Sequence, residues 1–245
     1  MNVISSSYGN DSVALIQWAH EQALPDVTVA YCDTGWAAPH WPQRVQRGEV
    51  LAKSYGFATV RCESIGMADL VRVKKGWPGN GQQFCTQHLK GVPFLEWIDK
   101  TDPECQAVVL IGKRRAESEK RKDTPEFIES SEYHGGRKLW HPLYLHTDEQ
   151  RDALLARAGF EALPHRSLEC NPCVNANRGD FLRLTPGEIE RVNDLEAEIG
   201  KPMFRPKRFN ALGIHGVIAW AKDGRDRGSV DDEAADCASL FGCGV

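Results

Sequence analysis

Ser7-Tyr8-Gly9-Asn10-Asp11-Ser12 has the residue types and spacing that hold an anion. It lies between a short β-type run, Val3-Ile4-Ser5-Ser6, and an amphipathic helical stretch over residues 13–23. A Ser/Gly-rich turn from a strand into a helix leaves backbone N–H groups without intrahelical acceptors, and such groups can surround phosphate oxygens. Gly9 lets the backbone approach closely. Asp11 and Ser12 can cap the helix or turn their N–H groups toward the anion. Capping alone is the competing explanation. A Walker A loop is excluded, because no Gly-Lys-Ser/Thr follows at the required place.

The second chemical group is sulfur. The chain carries eight cysteines, Cys32, Cys62, Cys85, Cys105, Cys170, Cys173, Cys237 and Cys243. Met1 leads straight into a strand, so no signal peptide is expected, and a cytoplasmic location is the expectation. No apolar run approaches the ~20 residues of a membrane span. In a reducing compartment a close cysteine pair points to metal or thiol chemistry rather than to a structural disulfide. Cys170-Asn171-Pro172-Cys173 is such a pair: a redox dithiol, half of a zinc site, or part of an iron–sulfur site. Cys32, Cys62 and Cys105 sit in or beside expected strands or a turn and read as small buried hydrophobes.

The elements that must position these groups follow from hydrophobic pattern. Val3-Ile4-Ser5-Ser6, residues 27–31, residues 58–62 and Ala107-Val108-Val109-Leu110-Ile111 are short apolar runs of the kind buried on both faces. Helical patterns cover residues 13–23, 42–55, 85–100 and 147–158. Thr185-Pro186-Gly187-Glu188 is a capping box with Pro at the first helical position, opening a helix to about residue 199. Strands alternating with helices predict a parallel sheet covered on both faces, with ligands at the strands' carboxyl ends. Three polar segments follow those ends: the 7–12 loop, Asp33-Thr34-Gly35, and residues 112–118. From about Thr124 the pattern is irregular, with Trp140-His141-Pro142-Leu143 a short extended segment.

A net charge of −4 and a pI near 6.1 argue against general nucleic-acid binding. The basic residues are clustered, however: Lys113-Arg114-Arg115, Lys120-Arg121-Lys122, Arg137-Lys138 and Arg205-Pro206-Lys207-Arg208. Each cluster is either a local phosphate site or a solvated face.

The S-x-G-x-D-S spacing of the 7–12 loop resembles the PP-loop of ATP pyrophosphatases, with Asn10 where many such loops have Lys. Tyr31-Cys32-Asp33-Thr34-Gly35-Trp36 resembles the strand-end D-T-G segment of phosphoadenylyl-sulfate (PAPS) reductases. Gly112-Lys113-Arg114-Arg115-Ala116-Glu117-Ser118, with Arg121 beyond, resembles their G-x-R-R-x-x-S-x-x-R segment. Phe84-Cys85 through Lys90 and Pro93-Phe94-Leu95 resembles their C-C-x-x-x-K-V-x-P-L segment, and Trp140-His141-Pro142-Leu143 their W-x-P-L/I segment. The chain is thus similar to PAPS-reductase-like PP-loop enzymes, and within them to DNA phosphorothioation proteins of the DndC and SspD type.

The resemblance implies an α/β fold of the adenine nucleotide alpha-hydrolase type: a PP-loop parallel sheet flanked by helices. It implies a nucleotide-binding domain over 1–145 and a mainly helical, cysteine-bearing extension over 146–245, packed on the same domain. ATP with Mg²⁺ is the implied cofactor pair. Ser7, Gly9, Asn10, Asp11, Ser12, Asp33, Thr34, Gly112 and Ser118 are the implied nucleotide contacts, with Asp33 on ribose or Mg²⁺. Asp11, Ser12, Arg114 and Arg115 are the implied catalytic groups, the two arginines clamping phosphate.

A [4Fe-4S] cluster is implied on Cys85, Cys170, Cys173 and Cys243, with Cys237 or an open iron as alternatives for the fourth place; Phe84 replaces the first cysteine of the family's C-C pair. The implied activity is cleavage of ATP to AMP and pyrophosphate to activate a nucleic-acid backbone oxygen for sulfur insertion. The implied partners are a cysteine desulfurase, DNA and other phosphorothioation proteins, with no membrane; self-association is left open. PAPS or APS reduction is the alternative, although the tail Phe241-Gly242-Cys243-Gly244-Val245 lacks the Glu and His of the reductase's E-C-G-x-H segment. tRNA thiolation and a non-catalytic nucleotide-binding module also remain.

Overall fold

The computed structural model describes residues 1–79, 83–204 and 212–223. Its strands are β1 (Asn2–Ser5), β2 (Val27–Asp33), β3 (Ala58–Glu63), β4 (Val108–Leu110), β5 (Phe127–Ser131) and β6 (Arg137–Trp140). They form one sheet in the order β3-β2-β1-β4-β6-β5, parallel throughout except for β5, which runs antiparallel to β6 at one edge. The expected α/β architecture is present.

The sheet is two-sided because successive strand residues point to opposite faces. Ile4, Val29 and Leu110 pack into one core with Leu15, Ile16, Val45 and Leu155. Their neighbours Val3, Ala30 and Val109 pack into another with Phe94 and Ile98. The first face is covered by α1 (Asn10–Glu21), α2 (Trp41–Ser54) and α6 (Asp148–Arg157); the second by α5 (Val92–Thr101).

A third cluster joins α3 (Met67–Lys74), α7 (Arg178–Leu182), α8 (Pro186–Ile199) and α9 (Gly213–Asp223) around Trp36, Met67, Leu89, Phe181, Leu195 and Val217. The helix expected over 85–100 forms in two parts. α4 (Phe84–Thr86) passes through a π-helical turn, Gln87–Gly91, before α5. The capping box at α8 forms as expected, with Thr185 Oγ1 accepting from Glu188 N.

β5 and β6 make a hairpin where the sequence reads as irregular. An edge strand exposes one face, and β5 accordingly carries Glu129 and Ser130 outward rather than an apolar run. Beneath the hairpin lies Arg137, wholly buried, held by Asp99 (2.8 Å), Asp102 (2.7 Å) and the carbonyl oxygen of His134 (3.2 Å). Arg137 is therefore a tie within the fold rather than half of a phosphate-binding cluster. Cys32 and Cys62 face each other in register on β2 and β3 and are buried, as expected. Cys105 is exposed, contrary to expectation, because it sits in the turn after α5 at φ +55°.

His134 is buried against Phe94, with Nδ1 2.8 Å from Ser131 Oγ. Burial lowers its pKa to about 4, and the nearby charges of His141 and Arg137 add to the shift. The folded form therefore holds it neutral while the unfolded chain protonates it near 6.5. Its contribution is full above pH 6.5 and is lost as pH falls through about 4. The shift corresponds to about 3 kcal/mol over that window. We expect His134→Gln to flatten the fall of the urea midpoint between pH 6.5 and 4; an unchanged slope would show that His134 is not the titrating group.

Candidate active site

The chain order turns at β1. From there the chain runs outward through β2 and β3, then crosses back to β4 on β1's other side. In sheets of this kind ligands bind outside the carboxyl ends of the strands where the order reverses, here β1 and β4. The 7–12 loop occupies the first of those ends. Tyr8 adopts φ +56°, an uncommon conformation for a bulky residue, with its ring buried against Gly48 of α2, where any side chain would collide with it. Ser7 Oγ accepts from Gly9 N at 3.2 Å, and Ser6 Oγ from Tyr8 N at 3.1 Å.

α1 begins at Asn10 with Gly9 as its N-cap and no side-chain cap; its first intrahelical bond runs from Val13 N to Gly9 O. The N–H groups of Asn10, Asp11 and Ser12 therefore lack intrahelical acceptors. Helix capping does not explain Asp11 or Ser12: both lie inside the first turn, and Ser12 Oγ donates back to Gly9 O at 3.3 Å.

Gly112, just beyond β4, brings the second strand end against the first. A Cβ there would lie 2.7 Å from Asp11 O and 2.8 Å from its carbonyl carbon. Asp11 is buried, and its Oδ1 accepts from Arg114 Nε at 2.5 Å. Its Oδ2 has no hydrogen-bond partner among the described residues. Burial pushes the Asp11 carboxyl up, while the Arg114 guanidinium beside it pulls the other way.

Arg114 itself is 1% exposed and also donates to His146 O at 3.2 Å and Asp148 Oδ1 at 2.9 Å. Arg114 is turned inward and locks β4's end to α1 and to the start of α6. Arg115 is exposed, its Nε on Thr124 O at 2.9 Å and its guanidinium 5.1 Å from the Tyr144 ring centroid. Ser118 sits at the start of a 3₁₀ turn, accepting from Arg121 N at 2.9 Å. Arg121 is buried on Glu117, while Lys122 pairs with Glu119 at the surface. The basic block is therefore divided between core and solvent, and Arg205, Lys207 and Arg208 lie outside the described residues.

Asp33 is exposed at β2's end, with Oδ1 on Gly35 N at 2.9 Å. The Thr34 side chain acts as a tether. It is fully buried, its Oγ1 donating to Glu169 O at 2.5 Å and accepting from Trp36 N at 3.2 Å. Asn10 is likewise committed elsewhere. Its Oδ1 accepts from Leu163 N and its Nδ2 donates to Leu163 O, both at 3.0 Å, and Arg44 adds a contact at 3.3 Å.

These tethers define a further element, of which the sequence marks only Cys170 and Cys173. The segment 163–173 runs beside the 7–12 loop and then along residues 34–38. Ser167 lies against Gly9, Leu168 O accepts from Ala38 N at 2.9 Å, and Cys170 bridges Trp36 in parallel. Glu169 forms a buried ion pair with Lys90. No local pattern announces this segment, since most of its bonds are to backbone.

The segment ends at a cavity of about 30 Å³ whose lining includes Cys85, Cys170, Cys173, Thr34, Leu89 and Lys90. Three of the four cysteines proposed as ligands are therefore brought to one place; Cys243, like Cys237, lies outside the described residues. Burial pushes the Cys170 thiol well up, with the Lys90 ammonium opposing. Among the described residues no three His, Cys, Asp or Glu side chains form a group that could hold a metal ion. The donor type does suit a thiophilic centre, since soft thiolates select zinc and iron–sulfur clusters.

A mainly parallel sheet with helices on both faces and a strand–turn–helix loop at its switch point is an architecture in which ligands bind at the strands' carboxyl ends. The chain belongs to the phosphoadenosine phosphosulfate reductase domain family, whose model matches residues 1–184. Members of this family are in general nucleotide-binding enzymes of sulfur chemistry. A solved structure of phosphoadenylyl-sulfate (PAPS) reductase from Candida auris, in complex with phosphate, is 13% identical, with a TM-score of 0.45. That match covers 66% of this chain and 74% of the other. No curated protein matches the chain. Among the described residues no helix is long and apolar enough to cross a membrane.

Proposed function

We propose that the protein cleaves ATP to AMP and pyrophosphate to activate a nucleic-acid backbone oxygen for sulfur insertion, as in DNA phosphorothioate modification by the DndC and SspD type. One observation carries this reading. The 163–173 segment links the anion loop directly to the cavity of Cys85, Cys170 and Cys173. Nucleotide activation and sulfur delivery then belong to one connected site.

In the first step an acceptor oxygen attacks the α-phosphorus, a P–O bond forms, and pyrophosphate leaves with the electrons of the broken anhydride bond. The free N–H groups of Asn10, Asp11 and Ser12 face the charge that develops on the leaving group. A sulfur nucleophile at the sulfide level then forms a P–S bond with the acceptor phosphorus, and its oxygen departs with AMP. Asp33, exposed at the carboxyl end of β2, is the group to hold ribose or Mg²⁺. Cys85, Cys170 and Cys173 line one cavity without forming a metal-holding group among the described residues; on the family resemblance they are the residues that would hold an iron–sulfur cluster, whose chemistry is to bind or relay sulfur. A cysteine desulfurase as donor, and DNA as acceptor with its companion proteins, complete the proposal.

The family's name favours a second reading, reduction of PAPS or a related sulfonucleotide. One anaerobic preparation separates the two. With ATP, Mg²⁺ and DNA we expect AMP and pyrophosphate in equal amounts. ADP as product, or no turnover, would remove the first reading; sulfite release from PAPS with a thiol reductant would establish the second. Iron with acid-labile sulfide is expected in the same sample, and zinc without sulfide would rule out the cluster.

A further inference from the structure

We propose that Ser167 is a phosphate ligand, delivered onto the 7–12 loop by Asn10. The inference rests on the reading of that loop as the nucleotide's phosphate site and adds a group to it from a distant part of the chain. Ser167 is 8% exposed, and its hydroxyl has no hydrogen-bond partner among the described residues. A buried hydroxyl without a partner costs free energy in the ligand-free protein, so such a group calls for an explanation.

Its position supplies one. A Cβ added to Gly9 would lie 3.2 Å from Ser167 Cβ, 3.7 Å from Ser167 Oγ and 3.2 Å from Ser7 Oγ. Gly9 has φ −69°, which any residue adopts, so its lack of a side chain serves space rather than backbone freedom. That space is what allows Ser167 to stand over the loop.

The segment is pinned on both sides of Ser167. Asn10 makes two 3.0 Å bonds to the backbone of Leu163, and Leu168 O accepts from Ala38 N at 2.9 Å. Asn10 therefore acts on the anion through Ser167, as a positioning residue, while its own side chain stays on the backbone of Leu163. The ligand class is a phosphate or pyrophosphate group, to which the hydroxyl donates alongside the loop's N–H groups. Hydrogen bonds to a charged acceptor are about twice as strong as neutral ones.

The test is calorimetric titration of the full chain with ATP, inorganic pyrophosphate and adenosine. Ser167→Ala is expected to weaken ATP and pyrophosphate alike by roughly 10–100-fold and to leave adenosine unchanged. Ligand-free Ser167→Ala is expected to melt at the same temperature as the wild type or higher. Asn10→Ala should weaken pyrophosphate to a similar degree, and the double variant should lose no more than either single one, because both act through one contact. Wild-type pyrophosphate affinity in Ser167→Ala would overturn the role of Ser167, and additive losses would overturn its delivery by Asn10. A wild-type chain that bound neither ATP nor pyrophosphate would overturn the nucleotide reading itself.

Discussion

Replacing Gly112 with alanine is expected to lower nucleotide turnover by about 100-fold or more. The new methyl carbon would sit 2.7 Å from the carbonyl oxygen of Asp11 and 2.8 Å from its carbonyl carbon. Both are backbone atoms at the start of α1, so no side chain can rotate away; β4's end or the loop must move. A displacement near 1 Å at reacting groups can cost about 100-fold in rate. Overpacking of this kind also destabilises by about 1–3 kcal/mol.

Gly187 provides the control. It lies in the first turn of α8 and has nothing within 4 Å of an added Cβ. Gly187→Ala should leave turnover unchanged and shift stability by no more than about 1 kcal/mol, in the stabilising direction. Steady-state turnover and urea denaturation of the two variants decide the matter. Equal behaviour would mean that the contact between strand end and loop is not needed.

Arg114→Met should cost about 3–5 kcal/mol, the usual result of breaking a buried ion pair from one side. The loss arises from Asp11, which would remain buried at the start of α1 with its compensating charge gone. The pH dependence identifies the cause. Without Arg114, burial alone acts on the Asp11 carboxyl, so the folded form binds its proton more tightly than the unfolded chain, whose value is near 3.9. The variant is then least penalised near pH 4 and loses stability as pH rises toward 7. The gap between wild type and variant should be widest at pH 7 and narrow toward pH 4.5, as read by urea midpoints. A constant gap would assign the loss to packing instead. Asp11→Asn combined with Arg114→Met should regain part of the stability, since no unpaired charge is left behind, without restoring turnover.

Parts of this molecule were legible residue by residue. The runs of β2 and β4 read as strands because they lie inside the sheet and are mainly apolar, whereas β1 and the edge strand β3 are about half polar and were legible by their short Val-containing runs. The capping box at Thr185 was equally plain, because a cap is made by residues three apart. The hairpin of β5 and β6 was not, since an edge strand exposes charge on one side and shows no clean period. The 7–12 loop was legible as a turn with free N–H groups, because a strand–turn–helix passage concentrates them whatever packs around it. Its helix-cap alternative failed on a local detail: Asp11 and Ser12 lie two and three positions past the N-cap Gly9, too far into α1 to act as caps.

Side-chain roles that depend on distant partners could not be read in advance. Arg114 has the type and position of a phosphate clamp, yet Asp11, 103 residues away, draws it inward. Thr34 has the type of a nucleotide contact, yet the carbonyl oxygen of Glu169 takes its hydroxyl. Asn10 reads as a missing cation, but it is the anchor of a segment that begins at Leu163. By itself the sequence determined the elements, the loop and the cysteines available for chemistry, because those depend on periodicity and residue type within short windows. Only the tertiary structure decided that Ser167 stands over Gly9 and that Cys85, Cys170 and Cys173 line one cavity. Those placements depend on how α1, α6 and the 163–173 segment pack, which is a matter of volume and backbone hydrogen bonds between parts of the chain with no shared local signal.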